Sequence, residues 1–194
     1  MYDPHPRDSG PVVVTDGPAG APAVLVFDPA GVAKREDIPA SWHGLLWDRQ
    51  VLWCRIPAME SPAQVDAALS GRATVPPAID VVASGPCTEL ALVFGKQRAS
   101  SVRSVLLVDP AAPDDRFPTD EAEIADALWE ERSRQRMEEL ESAGVTVRVI
   151  AHSTGGDTDR VPPPLPLGHP DVVEAVSAAI AELDAGEQPG SRPH

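Results

Sequence analysis

Basic residues and cysteines are scarce in this chain of 194 residues, and long apolar runs are missing altogether. Sixteen Lys and Arg against 30 Asp and Glu give a formal charge of −14, and this negative field repels nucleic-acid phosphates and anionic lipids. The only two cysteines, Cys54 and Cys87, cannot build a disulfide framework. No apolar run reaches the roughly 18 residues of a membrane span. We therefore expect partners that are neither nucleic acid nor membrane.

Several sequence motifs are also missing. The chain contains no CxxC, HExxH or GxGxxG motif, no Walker-A phosphate loop and no internal repeat. The sequence accordingly predicts neither a metal nor a cofactor. The first ten residues, MYDPHPRDSG, do not have the charged-then-apolar pattern of a secretory signal, so we expect a cytoplasmic location.

What the chain does contain is an alternation of short apolar runs and helical stretches. Continuous apolar runs are typical of strands that are covered on both faces, as in parallel sheets. The first run is followed at once by the turn sequence TDGPAGAP, which predicts an antiparallel edge strand. The predicted strands span residues 12–15, 24–27, 51–54, 79–83, 105–108 and 145–151.

Five helices are predicted between these strands, at residues 38–48, 61–70, 87–97, 119–143 and 170–184. Thr119 begins an acidic first turn and Gly144 is placed to end the same helix. The alternation predicts an α/β fold, a three-layer α/β/α sandwich around a mostly parallel sheet of about six strands. This domain spans residues 11–185, between a flexible arm (1–10) and a disordered tail (186–194).

The residues that follow each strand are the informative ones, because ligands of such sheets bind at the carboxyl ends of the strands. After the fourth strand the chain reads IDVVASGPCTELALVFGKQRASSVRSVLLVDP, residues 79–110. This segment resembles the central strand–elbow–helix–strand unit of the α/β-hydrolases, in which a nucleophile stands between small residues on a sharp turn. The resemblance predicts an α/β-hydrolase-like fold.

Four further segments resemble the same family in the same order, so that the resemblance covers about residues 12–184. PAVLVFDPAG (22–31) is similar to the strand before the oxyanion loop, and RQVLWCRIPA (49–58) is similar to the next family strand. VTVRVIAHSTGGDTDRVPP (145–163) resembles the loop of the catalytic acid. LGHPDVVEAVSAAIAELD (167–184) resembles the loop of the catalytic histidine and the final helix.

The elbow itself departs from the family pattern. Ala83 and Cys87 fall at the small flanking positions, and Gly85, which has no side chain, falls at the position of the nucleophile. The family takes one oxyanion donor from the next backbone N–H, but here that residue is Pro86, which has none. The alignment therefore predicts a retained turn without its reaction centre, with Gly85 and Pro86 as binding rather than catalytic residues.

The resemblance assigns the base to His169 and the acid to Asp157 or Asp159. Each has a simpler interpretation, since His169 also fits a loop residue at the start of a helix, and aspartates form turns in Gly-rich loops. The run HSTGG (152–156) could cradle an anion through backbone N–H groups, or be a loop and nothing more.

Two residues next to the aligned position remain candidates for the nucleophile. Ser84 stands one position early, so its side chain is expected on the opposite sheet face. Cys87 stands two positions late at a helix N-terminus, where the pKa of a thiol can fall, or it is a small buried apolar residue. Asp28 occupies the position of the oxyanion-loop histidine, as a binding residue or a turn residue, and Arg55 is expected to pair with Asp28 or Asp80.

Other features have two interpretations as well. Helix 119–143 takes the place of a lid and offers a face for a protein partner, or it packs on its own sheet. The four tryptophans are expected as packing anchors, or as residues that stack on a ligand.

Three functions follow. The first is a catalytically inactive binding or interaction module that takes a small-molecule ligand or a protein partner. The second is an esterase or thioesterase that uses Cys87 or Ser84 with His169 and with Asp159 or Asp157. The third is an unrelated flavodoxin-like ligand-binding module. The sequence leaves the oligomeric state open.

Overall fold

A computed structural model describes residues 13–29, 37–55, 78–111, 122–151 and 165–187 of the chain, and the account below concerns these residues. Six strands and three α-helices form a three-layer α/β fold, as the alternation of elements predicts. The strands are β1 (Val13–Asp16), β2 (Ala23–Asp28), β3 (Gln50–Arg55), β4 (Ile79–Ser84), β5 (Val102–Val108) and β6 (Thr146–Ala151). The α-helices are α1 (Thr88–Gln97), α2 (Ala122–Ser142) and α3 (Pro170–Glu187).

The six strands form a single sheet in the order β1-β3-β2-β4-β5-β6. Strand β1 pairs antiparallel with β3, and every other pairing is parallel. The predicted antiparallel edge strand is therefore confirmed. Because β3 lies on one side of β2 and β4 on the other, the strand order reverses at β2, and this reversal defines the switch point at which open α/β sheets bind ligands.

Two apolar clusters cover the two faces of the sheet. Alternate residues of β4 point to opposite faces, so Val81 and Ala83 join the cluster formed with α1 and α2, whereas Val82 joins the cluster formed with α3. Strands β2 to β4 are buried along their whole length. This burial on both faces is why their sequences are nearly continuous apolar runs.

The predicted helix at 38–48 is wrong. The structure has two short 3₁₀ turns there, Ala40–Trp42 and Leu45–Trp47, with Gly44 between them. The indole Nε1 of Trp42 donates to the backbone oxygen of Leu167 at 2.7 Å, so a tertiary contact takes precedence over helical periodicity. Trp47, expected as a packing anchor, is 86% exposed, while the other three tryptophans are buried.

The remaining helices agree with the prediction apart from their ends. Helix α1 begins at Thr88 because Cys87 belongs to a preceding 3₁₀ turn. Gly144 follows α2 with φ +86°, as expected of a helix stop. Helix α3 continues to Glu187, so its last two residues take up the start of the predicted tail. The arm at 1–10, the helix predicted at 61–70 and the rest of the tail lie outside the described residues.

An ion-pair network holds the end of α3 to the amino end of the sheet. Arg103 of β5 donates from Nε and Nη2 to the Asp80 carboxylate at 2.9 and 2.6 Å, and from Nη1 to Asp184 of α3 at 2.6 Å. Arg49 donates to the other oxygen of Asp184, and the Ser104 hydroxyl donates to Asp80 at 2.7 Å. The partner of Asp80 is therefore Arg103, whereas the sequence had left Arg55 open as its partner.

Candidate functional site

The carboxyl ends of the central strands bring the predicted site residues together. Strand β2 ends at Asp28 and β4 at Ser84, and the pairing of Phe27 with Ala83 makes these two residues neighbours. On the other side of β2, Asp28 is the register partner of Arg55 at the end of β3. This edge is also the switch point of the sheet, so we take it as the candidate functional site.

The turn after β4 has the shape of an elbow. Ser84 is extended, with φ −125° and ψ 152°, and Gly85 turns the chain with a left-handed φ of +47°. Pro86 follows, in the 3₁₀ turn Gly85–Cys87 that leads directly into α1. The Thr88 hydroxyl donates to the Gly85 carbonyl oxygen at 2.8 Å and fixes the turn. Gly85 thus stands at the apex, where a left-handed φ favours glycine.

The elbow presents no nucleophile at its apex, and both displaced candidates are buried beside it. Ser84 lies on the same sheet face as Val82, toward α3, as expected for a residue one position early. Burial, and next the negative charge of Asp28, raise the pKa of the Cys87 thiol to about 12. Cys87 therefore lacks the lowered pKa that a helix N-terminus can give to a thiol.

Asp28 is a buried carboxylate at the centre of this edge. Its Oδ2 accepts a hydrogen bond from Nε1 of Trp53 at 2.9 Å, and the Trp53 ring packs edge-on against Trp42 with 5.1 Å between centroids. The resemblance of the sequence to the hydrolases places Asp28 at the position of the histidine in the oxyanion loop. A negative charge there opposes the charge that develops on an oxyanion during acyl transfer.

His169 caps helix α3. It directly precedes Pro170, the first residue of the helix, and its ring Nδ1 accepts a hydrogen bond from the Asp171 backbone N–H at 3.3 Å. In a Ser-His-Asp triad, Nδ1–H instead donates to the acid, so that Nε2 is left to take the proton of the nucleophile. This contact is the one expected of a residue at the start of a helix, and a role of His169 as a base stays a prediction, because both candidate acids lie outside the described residues.

The loop that carries His169 is held from two sides. Trp42 binds the Leu167 carbonyl oxygen, and the Ser41 hydroxyl donates to the Gly168 carbonyl oxygen at 2.9 Å. On the other side, the Asp109 carboxylate accepts from the backbone N–H of Leu165 at 2.6 Å. These contacts fix the start of α3 relative to the carboxyl ends of the strands.

Asp109 is the residue of this edge that the sequence interpretation missed. It directly follows β5, is buried, and has φ +43°, an uncommon conformation for a residue other than glycine. Its N–H donates to the Ala151 carbonyl oxygen at 2.9 Å, which joins the ends of β5 and β6. The Asp-Pro pair after a strand was the available signal, because it marks a strand end at the candidate edge.

The two candidates for the acid, Asp157 and Asp159, lie outside the described residues, and so does the HSTGG run. Within the described ranges, no group of three or more His, Cys, Asp or Glu side chains could hold a metal ion. The part of the site that the structure describes is thus an elbow without a nucleophile, a buried carboxylate and a capping histidine.

Comparisons with known proteins add little to this geometry. No protein-family model matches the chain, and no curated protein matches it. A solved structure from Acinetobacter baumannii AYE, provisionally described as a lipase, is similar over 90% of this chain and 88% of its own, with 10% identity and a TM-score of 0.45. Because this similarity is low, the assignment of the fold depends on the sheet order and the strand pairing themselves.

Proposed function

We propose that this chain is a catalytically inert α/β-hydrolase-like protein that serves as a binding or interaction module. The observation that carries the proposal is the Gly85-Pro86 pair at the apex of the turn between β4 and α1. The turn leads directly from strand to helix with a left-handed φ at its apex, as an elbow does, and the two residues lack the attacking atom and one oxyanion donor. Loss of one such donor alone typically lowers the rate about 100- to 1,000-fold.

The buried groups beside the elbow support inertness. Burial and the negative charge of Asp28 raise the pKa of the Cys87 thiol to about 12, so the protonated thiol, a poor nucleophile, is the form present at pH 7. Ser84 is buried on the α3 side of the sheet, and the ring nitrogen of His169 that would face an acid accepts a bond from its own helix. An esterase built on either displaced nucleophile therefore has less support than a binding module.

The flavodoxin-like alternative shares part of the topology. The five parallel strands β3-β2-β4-β5-β6 have the strand order of flavodoxin-like folds. The antiparallel β1 and the left-handed glycine after β4 favour the hydrolase-like interpretation, because the first extends the sheet beyond that order and the second forms the elbow.

The first test measures hydrolysis of p-nitrophenyl acetate and butyrate. We expect the wild-type rate to equal the buffer background. Gly85→Ser combined with Pro86→Met restores the hydroxyl and the missing N–H, and it should raise the rate if the elbow is the only part of the centre that is missing. A wild-type rate above background that His169→Ala abolishes would overturn the proposal. Circular dichroism of each variant checks that the fold is retained.

The second test labels nucleophiles directly. A fluorophosphonate probe and iodoacetamide should leave Ser84 and Cys87 unmodified in the folded protein, whereas Cys87 should react with iodoacetamide after denaturation. Cys54, which is also buried, serves as the internal control. Stoichiometric labelling of Ser84 or Cys87 in folded protein, with Cys54 unmodified, would favour the esterase.

A further inference from the structure

A continuous series of buried contacts leads from the carboxyl edge of the sheet to the loop before α3. At the edge, Oδ2 of Asp28 accepts a hydrogen bond from Nε1 of Trp53 at 2.9 Å. The Trp53 ring packs edge-on against Trp42, with 5.1 Å between centroids and 89° between the ring planes. Nε1 of Trp42 in turn donates to the backbone oxygen of Leu167 at 2.7 Å. All four residues are buried, and they belong to four different segments of the chain.

The far end of this series lies in the backbone turn that carries His169. The turn is closed by a hydrogen bond from the His169 N–H to the Pro166 carbonyl oxygen at 2.8 Å, and Leu167 and Gly168 are its central residues. Both central carbonyl oxygens accept side-chain hydrogen bonds from the 3₁₀ turn Ala40–Trp42, at 2.7 and 2.9 Å. A displacement of the 3₁₀ turn therefore acts directly on the turn in which His169 lies.

The two indoles have little freedom to respond separately. An indole nitrogen can only donate, and a buried donor without an acceptor is strongly disfavoured. Rings that pack edge-on in a close-packed interior move together, because separate motion would open a void between them. The bond at Asp28 has a carboxylate as acceptor, so it is the contact of the series that is most sensitive to a change of charge.

We propose that Trp53 and Trp42 form a relay that couples Asp28, at the switch point of the sheet, to the turn of His169 at the start of α3. A change in the hydrogen bonding of Asp28 moves Trp53, the edge-on contact moves Trp42, and the bond to Leu167 moves the turn. This inference goes beyond the proposed function, because it concerns how two candidate site residues on separate segments affect each other and does not depend on inertness.

The first test changes only Asp28 and observes the relay by NMR in ¹⁵N-labelled protein. Asp28→Asn leaves a neutral oxygen, which is a weaker acceptor, so the Trp53 indole proton should move upfield. The relay predicts that the Trp42 indole signal shifts as well. The Trp42 indole N–H and the His169 amide should exchange with solvent about twofold to fivefold faster. Unchanged Trp42 and His169 signals would overturn the relay.

Two controls accompany this variant. The indole signal of Trp47, which is exposed, should stay in place. Glu182→Gln also removes one negative charge, from an exposed side chain of α3, and should leave the signals of Trp53, Trp42 and His169 unchanged. Equal shifts in the two variants would assign the effect to net charge and would overturn the relay too.

The second test interrupts the relay. Trp42→Phe removes the N–H that binds Leu167 and keeps a ring beside Trp53. Asp28→Asn added to Trp42→Phe should cause no further change in the exchange of the His169 amide. If Asp28→Asn instead has the same effect with and without the Trp42 indole, Asp28 acts on the turn by another route and the relay is wrong.

Further measurements keep the relay testable if a variant does not fold. Trp53→Phe can take the place of Trp42→Phe, because it removes the donor to Asp28 and keeps a ring against Trp42. If no variant folds, native-state hydrogen exchange of the wild-type protein decides. The indole N–H groups of Trp42 and Trp53 and the His169 amide should exchange through one opening, with the same dependence on urea concentration, and separate openings would overturn the relay.

The outcome is also independent of the test for catalysis, since none of these measurements involves hydrolysis. Ester turnover that His169→Ala abolishes would overturn inertness and leave the relay standing. Independent responses of the two indoles and His169 would do the reverse.

Discussion

At the scale of single residues, the chemistry of the elbow depends on two neighbours. Gly85 adopts the left-handed φ of the apex at little cost, and Pro86 begins the following helical turn without needing an N–H partner. Both residues fit the backbone of this turn well, and neither supplies a side-chain nucleophile or, in the case of Pro86, a backbone N–H.

The capping role of His169 gives a prediction at this scale. His169→Ala should lower the free energy of unfolding by about 0.5–1 kcal/mol, because the N–H of Asp171 loses its acceptor. His169→Asn should retain the wild-type stability, since asparagine is a preferred N-cap residue. Urea denaturation of the three proteins measures both effects. Equal losses in the Ala and Asn variants would show that another contact of the ring is the important one.

At the scale of elements, helix α3 is held at both ends by polar contacts from other parts of the chain. Trp42, Ser41 and Asp109 bind the loop before its first turn, and Arg49 and Arg103 bind Asp184 near its last turn. Between these ends, Val172, Val176 and Ile180 pack on the sheet. The helix is thus fixed in position relative to the carboxyl edge, where His169 lies.

The buried ion pair between Asp80 and Arg103 gives the second stability prediction. Asp80→Asn should cost about 1–3 kcal/mol in the free energy of unfolding, because the buried side chain loses its charge-assisted hydrogen bonds with Arg103 while Asp184 still compensates the charge of Arg103. The matched control is Glu182→Gln, which breaks the solvent-exposed pair between Glu182 of α3 and Arg148 of β6 and should cost less than 1 kcal/mol. Similar losses in the two variants, measured by denaturation, would contradict the importance of the buried network.

At the scale of the whole molecule, two apolar clusters share one sheet and an excess of negative charge surrounds it. No helix in the described part of the chain is long and apolar enough to cross a membrane. Cys54 and Cys87 both lie in the cluster on the α1 and α2 side, and burial raises the pKa of each thiol from 9.0 to about 12.

The raised pKa values of these two thiols predict how the free energy of unfolding depends on pH. Below pH 9 both thiols are protonated in the folded and in the unfolded chain, so their contribution to the free energy of unfolding is fully present. Between pH 9 and 12 only the unfolded chain releases the protons, and stability should fall by about 1.4 kcal/mol per pH unit for each thiol. Urea denaturation from pH 8 to 10.5 measures the slope. Cys54→Ala combined with Cys87→Ala should flatten it, and an unchanged slope would assign the loss to other groups.

The sequence predicted the core of the fold more reliably than its connections. All six strands were located within a few residues, because continuous apolar runs between Pro, Gly and Asp have few alternatives in a sheet covered on both faces. The helix predicted at 38–48 was wrong, because the periodicity of its apolar residues arises from Trp42 and Leu45 reaching into the core from two separate turns. Local periodicity does not distinguish these two ways of burying the same residues.

The candidate site also has a part that the sequence predicted and a part that only the structure showed. The sequence alone determined that Gly85 and Pro86 cannot supply a nucleophile or an oxyanion donor, because both deficits are properties of the residue types themselves. Only the tertiary structure decided that His169 caps its own helix and that Asp109 holds the neighbouring loop. The physical reason is that hydrogen bonding and burial depend on segments far apart in the chain, which meet only when the sheet has formed.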